Sequence, residues 1–144
     1  MTEAKVLVNE LLVDIFNRIL AIEGEELKAA GVKLSMNEVH VLEAVSLLPE
    51  PSMSAIAKKL GITVGSATTA INTLVQKGYV SRRSFDEDRR KVLVDLEAPA
   101  KQVLDVHREF HERMIDAIFR DLNVAEDEVL IASLDKVASY FRKA

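Results

Sequence analysis

Two histidines stand four residues apart, His107 and His111, inside a stretch of helical apolar spacing. On a helix that spacing puts both rings on one face, where they could hold a metal ion. The chain has no cysteine, so no thiolate can join them and no disulfide or thiol chemistry is open to it. The intervening Arg108-Glu109-Phe110 does not make the H-E-x-x-H pattern of zinc hydrolases. The expectation is therefore no metal, with both histidines on a dimer face or the surface. His40 lies beside the apolar stripe of Val39 and Leu42 and reads as a partly buried histidine. There is no glycine-rich phosphate loop and no serine in a nucleophile elbow, and the carboxylates fall on outward helix faces. These absences predict a non-enzyme, with no catalytic residues and no cofactor.

The charges suggest a different chemistry. Residues 51–96 carry eight basic side chains against four acidic ones, a net of +4. The rest of the 144-residue chain carries 11 basic and 19 acidic, a net of −8. A basic centre between acidic flanks suits a centre that meets a polyanion. Within it, residues 64–77 read as a helix whose inner positions are Ala67, Ala70, Ile71 and Leu74. Its other face is short and polar, Ser66, Thr69, Asn72 and Thr73 with Thr68 at the margin, and Val64 and Gly65 at its start join these as the residues expected to meet the partner. Threonine is a mediocre helix former, so stability alone would favour Glu, Lys or Arg there. Short hydroxyl side chains with no carboxylate among them are what close approach to a polyanion requires.

The elements that position this face follow from capping and period. Residues 3–29 read as one long helix, with Leu7, Leu11, Ile15, Ile19 and Ile22 every three or four positions. Leu12, Phe16 and Leu20 widen that stripe beyond what one-sided packing needs, which predicts a second chain against it. Ser35 and Glu38 make an S-x-x-E capping box for the next helix, which Pro49 and Pro51 end. A short helix capped by Ser52 closes at Gly61, and Thr63 caps the polar-faced helix. The period then becomes two over 79–84 and 91–96, a hairpin with 85–90 at its tip. Arg82 and Arg83 lie on the first strand and Arg90 and Lys91 lead into the second. At the tip, Asp88 is expected to pair with Arg90, leaving Arg89 for the minor groove. Helices return after residue 97.

The fold expected is mainly α with a small β-hairpin wing. It is a winged helix-turn-helix at 35–96, flanked by dimerisation helices at 1–34 and 97–144, within a single domain 1–144. Its second helix, 64–77, would enter the major groove. No apolar run is long enough to span a membrane and the start lacks a signal-peptide pattern, so the expected location is cytoplasmic.

Three stretches together resemble the multiple-antibiotic-resistance regulator (MarR) family. They are Ser52-Met-Ser-Ala-Ile-Ala-Lys-Lys-Leu-Gly-Ile62, the helix from Thr63 to Gly78, and Asp86-Glu-Asp-Arg-Arg-Lys-Val-Leu-Val-Asp-Leu96. The resemblance implies a bacterial transcription regulator, a repressor that binds palindromic double-stranded DNA as a homodimer through its terminal helices. The run Leu96-Glu97-Ala98-Pro99-Ala100 departs from the family's usual Leu-Thr and later glycine, although Pro99 suits a first helical turn. The segments Phe16-Asn-Arg-Ile-Leu-Ala-Ile-Glu23, Asn37-Glu-Val-His40, Val64-Gly-Ser-Ala-Thr-Thr69 and Phe110-His111 are similar to a narrower branch. That branch represses fatty-acid synthesis genes and senses acylated acyl-carrier protein. By the family's habit, effectors sit where the dimer helices meet the winged helix, which nominates Phe16, Ile19, His40, Phe110 and Met114 as pocket walls. The effector is acyl-carrier protein or, alternatively, a small apolar or aromatic molecule. A winged-helix module that binds protein rather than DNA is the competing reading. It would want an apolar or acidic face on 64–77 and no arginines on the wing.

Overall fold

The computed structural model describes residues 2–84, 90–122 and 127–144. In order they form α1 (Glu3–Glu10), a π-helical turn (Leu11–Ile15), α2 (Phe16–Ala29), α3 (Met36–Leu47), α4 (Met53–Leu60) and α5 (Val64–Gln76). Then come β1 (Val80–Ser84), β2 (Val92–Leu96), α6 (Ala98–Leu122) and α7 (Glu128–Lys143). The fold class is the expected one, mainly helical with one antiparallel hairpin. The described chain divides into two compact units, Met1–Arg108 and Glu109–Ala144.

The first helix departs from the uniform pitch its spacing predicts. The chain stays in right-handed helical conformation from α1 into α2, but Leu11–Ile15 bond with π pitch. A π-turn accommodates an extra residue and shifts the phase of the side chains that follow. The Leu7, Leu11, Ile15 stripe therefore does not run straight into Ile19 and Ile22.

The helix boundaries are set by local chemistry. At α3 the Ser35 hydroxyl accepts from the Glu38 amide at 3.2 Å, and the Glu38 carboxylate accepts from the Ser35 amide at 3.1 Å. Both halves of the capping box thus form. The Ser52 hydroxyl accepts from the Ala55 amide at 3.2 Å to start α4. At α6 the Glu97 carbonyl accepts from the amides of Ala100 and Lys101, so Pro99 occupies the first turn, where no amide is needed.

The core of the first unit is built from Leu27 of α2, Val39, Leu42 and Val45 of α3, and Ile56 of α4. Ala67, Ile71 and Leu74 of α5, Val80 and Val94 of the hairpin, and Val103 of α6 complete it. In the second unit the Asp127 carboxylate caps α7 by accepting from the Leu130 amide at 3.0 Å. Among the described residues, no helix is long and apolar enough to cross a membrane.

Candidate nucleic-acid interface

The turn between α4 and α5 is made by Gly61-Ile62-Thr63. Gly61 takes φ +68°, left-handed backbone that a side chain disfavours. The Ile62 amide bonds back to the Ala57 carbonyl at 3.0 Å, so the chain leaves α4 in a fixed direction. The Thr63 hydroxyl accepts from the Ser66 amide at 3.1 Å and donates to the Ser66 hydroxyl at 2.9 Å. This one residue starts α5 and orients Ser66.

Ala67, Ile71 and Leu74 face the core, which turns the opposite face of α5 outward. Val64, Gly65, Ser66, Thr69 and Asn72 are exposed; Thr68 and Thr73 are half-buried at its margins. The helix sequence contains no acidic residue. Thr68 donates to the Val64 carbonyl at 2.9 Å, Thr69 to the Gly65 carbonyl at 3.1 Å and Thr73 to the Thr69 carbonyl at 3.2 Å. A hydroxyl whose proton is engaged this way still has lone pairs to offer, so these threonines present acceptors outward. Acceptors suit the exocyclic amino groups of adenine and cytosine in the major groove.

Among the described residues, nothing packed against residue 65 requires that it be glycine. A Cβ there would meet only the Thr63 hydroxyl, at 3.9 Å, an ordinary contact. Glycine in a helix costs about 0.5–1 kcal/mol relative to alanine. Its presence at the exposed start of α5 fits a backbone that must lie close to an outside partner.

The hairpin is tied to the helix-turn-helix at its base. Arg82 pairs with Val94 and Arg83 with Leu93 in the strand register. The Val94 amide also donates to the Pro51 carbonyl at 2.9 Å, next to a bridge between Ser52 and Leu93. Arg82, which the sequence assigns to the wing, hydrogen-bonds the Asn72 carboxamide oxygen, so the hairpin and the outward face of α5 share a side-chain pair. Arg83 meets Asp95 across the hairpin at 3.0 Å, and Lys91 meets Glu50 at 2.7 Å. Arg90 is exposed and, with Lys91, borders a cleft of about 450 Å³ over Ser52, Met53 and Ser54 at the start of α4. Asp88 and Arg89, and with them the expected Asp88–Arg90 pair, lie outside the described residues.

At the far end of α5, Lys77 meets Glu38 at 2.9 Å and ties the end of α5 to the start of α3. Burial pushes the Glu38 carboxyl up, but Lys77 and the amide and hydroxyl of Ser35 outweigh it and hold it below its ordinary range. A cleft of about 330 Å³ opens beside this pair, lined by Asn37, Glu38, His40, Val41, Leu60, Ile62 and Ala70. Of the five residues expected to wall an effector pocket, His40 alone lines it. Phe16 is exposed and Ile19 half-buried on α2. Phe110 and Met114 belong to the second unit, where Phe110 is buried and Met114 half-buried. Sequence reasoning missed the Asn72–Arg82 pair and this cleft, because each joins residues that no local spacing connects.

Residues 34–92 match the MarR family. The chain is 26% identical over 116 residues to an uncharacterized HTH-type transcriptional regulator, YwhA of Bacillus subtilis, covering 79% of this chain and 84% of that protein. It is 28% identical over 83 residues to the HTH-type transcriptional repressor YetL of the same organism, where the match spans 58% of this chain and half of that protein. Among solved structures, Streptococcus pneumoniae FabT in complex with DNA superposes with a TM-score of 0.82 at 28% identity, over 96% of this chain and 98% of that one. The matched residues, 34–92, take in the helix-turn-helix and most of the hairpin.

Proposed function

We propose that the protein is a transcription regulator that binds double-stranded DNA as a homodimer on a palindromic operator and represses. The observation that carries this is the outward face of α5. It is small, polar and free of carboxylates, and Arg82 of the wing is bonded to its Asn72. A protein-docking winged helix would need an apolar or acidic surface in that place. The FabT likeness supports DNA as the partner, and the YetL likeness supports repression.

The apolar surface of the terminal helices supports the homodimer. On α1, α2 and the turn between them, Leu7, Leu11, Leu12 and Phe16 are exposed. On α7, Val129, Leu134, Tyr140 and Phe141 are exposed. Apolar patches of this kind on a single chain mark an interaction surface. The first unit would bring one α5 per protomer to successive major grooves.

Ligand response and fatty-acid gene targets form the finer part of the reading. The FabT likeness and the matching segments of α2, α3 and α5 support control of fatty-acid synthesis genes. Ala70 of α5 borders the 330 Å³ cleft, so a small apolar effector bound there would touch the recognition helix directly. A ligand changes DNA affinity only by its differential affinity for the DNA-competent form. Selection of bound duplexes from a random pool tests the core reading, which expects an inverted repeat. Acyl-carrier protein carrying long chains, free fatty acids and aromatic acids, each titrated against that complex, test the finer one. If aromatic acids alone shift affinity, the lipid-synthesis assignment falls and the repressor remains.

A further inference from the structure

Asn72 holds a particular place on the outward face of α5. Gly65, Thr69 and Asn72 follow one another at i, i+4 and i+7, so they form a single row along the helix. Ala67, Ile71 and Leu74 occupy the buried side, and Asn72 is exposed. Its carboxamide is a planar group with an acceptor oxygen at one end and a donor nitrogen at the other. The two ends meet opposite kinds of partner. Which of them is taken up inside the chain therefore decides what Asn72 offers outside it.

Arg82 of β1 fixes that choice. A guanidinium has donors and no acceptor, so the end of Asn72 that it meets must be the oxygen. Arg82 is itself placed by the hairpin: it stands opposite Val94 in the strand register, and the Val94 amide donates to the Pro51 carbonyl at 2.9 Å. With the oxygen turned to Arg82, the amide nitrogen lies at the other end of the planar group. The cation draws electron density from the carboxamide and makes its N–H groups better donors. The oxygen keeps a second lone pair, but that lone pair sits beside the guanidinium. An amino group of adenine or cytosine, with positive hydrogens, would meet a cation there.

We propose that Arg82 is a positioning residue that sets the base preference of Asn72: it turns the carboxamide so that Asn72 acts as a donor and selects guanine. The inference rests on the reading of α5 as the helix that enters the major groove. There an asparagine with both ends available pairs with adenine, accepting from N6 and donating to N7. Guanine instead presents O6 and N7, two acceptors on one edge. A donor carboxamide with a cation beside it suits that edge. Thymine offers the single acceptor O4 beside its methyl group, and cytosine offers a donor, so both match less well. Thr69 works in the opposite sense, since its hydroxyl proton is spent on the Gly65 carbonyl at 3.1 Å. One row of α5 thus carries an acceptor at Thr69 and a donor at Asn72.

The test is selection of bound duplexes from a random pool by the full chain, run in parallel with Asn72→Ala and Arg82→Ala, with the selected duplexes then titrated by fluorescence anisotropy. Asn72→Ala locates the contact, as the position in each half-site whose preference that variant loses. The wild type should hold guanine there, favoured over adenine by about 5- to 150-fold. Arg82→Ala frees the oxygen, so the preference at that one position should turn from guanine to adenine while the other positions keep theirs. If Arg82→Ala does not fold by circular dichroism, Arg82→Met, which keeps the side-chain length without the donors, takes its place with the same expectation. An arginine that only holds the hairpin or a phosphate would, when removed, weaken binding equally on every duplex, and that result overturns the proposal. So does adenine at the Asn72 position in the wild type, or an Asn72→Ala variant that loses no base preference. If the wild type selects an inverted repeat but guanine survives the loss of Arg82, this inference alone falls. If it selects no inverted repeat, the DNA reading falls with it.

Discussion

Gly65→Ala separates what the fold wants from what DNA wants at one position. The added Cβ meets only the Thr63 hydroxyl, at 3.9 Å, and Gly65 has no left-handed backbone to protect. Among the described residues nothing resists the methyl group. The unfolded chain loses conformational freedom and the helix gains propensity, together worth about 0.4–1 kcal/mol of stability. On DNA the sign reverses. Gly65 is exposed between Val64 and Ser66 at the start of α5, where the helix would approach the base edges. A methyl group inserted into a close-packed contact costs about 1–3 kcal/mol, which is about 5- to 150-fold in affinity. Urea unfolding of the variant should therefore show a higher midpoint with unchanged slope, while fluorescence anisotropy with the selected duplex shows weaker binding. Stability and affinity moving in opposite directions is the signature. If DNA affinity is unchanged, the α5 backbone does not approach DNA at Gly65. If stability falls, the account of an unconstrained glycine is wrong.

Three further outcomes follow from the same geometry. Arg82→Ala and Asn72→Ala should be non-additive in DNA affinity by at least 0.5 kcal/mol in a double-mutant cycle, because the two side chains are bonded; additivity would mean that they act separately. Ser66→Ala and Thr69→Ala should relax base preference, by about 1–3 kcal/mol per base discriminated, with little change in salt dependence, as measured by competition between duplexes. Glu38 contributes stability that is present above its unfolded pKa and is lost as pH falls through its depressed folded pKa. Urea midpoints measured from pH 7 down into the acid range should therefore drop more steeply in the wild type than in Glu38→Gln.

The sequence carried the local features well. The Ser35–Glu38 box, the Ser52 and Thr63 caps and the glycine stop at Gly61 are signals contained within four residues, and each forms as read. The period change that gave the hairpin is equally local. The π-turn at Leu11–Ile15 was not legible, because the apolar spacing of α1 and α2 is compatible with ordinary pitch. The face of α5 could be read from the helical period. Its bond to Arg82 could not, because strand register decides which wing side chain reaches Asn72. The cleft beside His40 depends on how α3, α4 and α5 cross, which no single-element pattern records. The burial of Glu23 is the sharpest miss. Charge pattern assigns glutamates to water, and only packing shows this one withdrawn from it.

The central claim is that α5 lies in the major groove of DNA, once per protomer. Methylation interference at guanine N7, a major-groove atom, tests it most directly on the duplex selected from a random pool. The account predicts two clusters of interfering guanines, centred about one helical turn or 10–10.5 base pairs apart, on an inverted repeat. It also predicts that Ser66→Ala or Thr69→Ala alters interference within those clusters. Binding that is indifferent to N7 methylation, or interference confined to a single cluster, would contradict it.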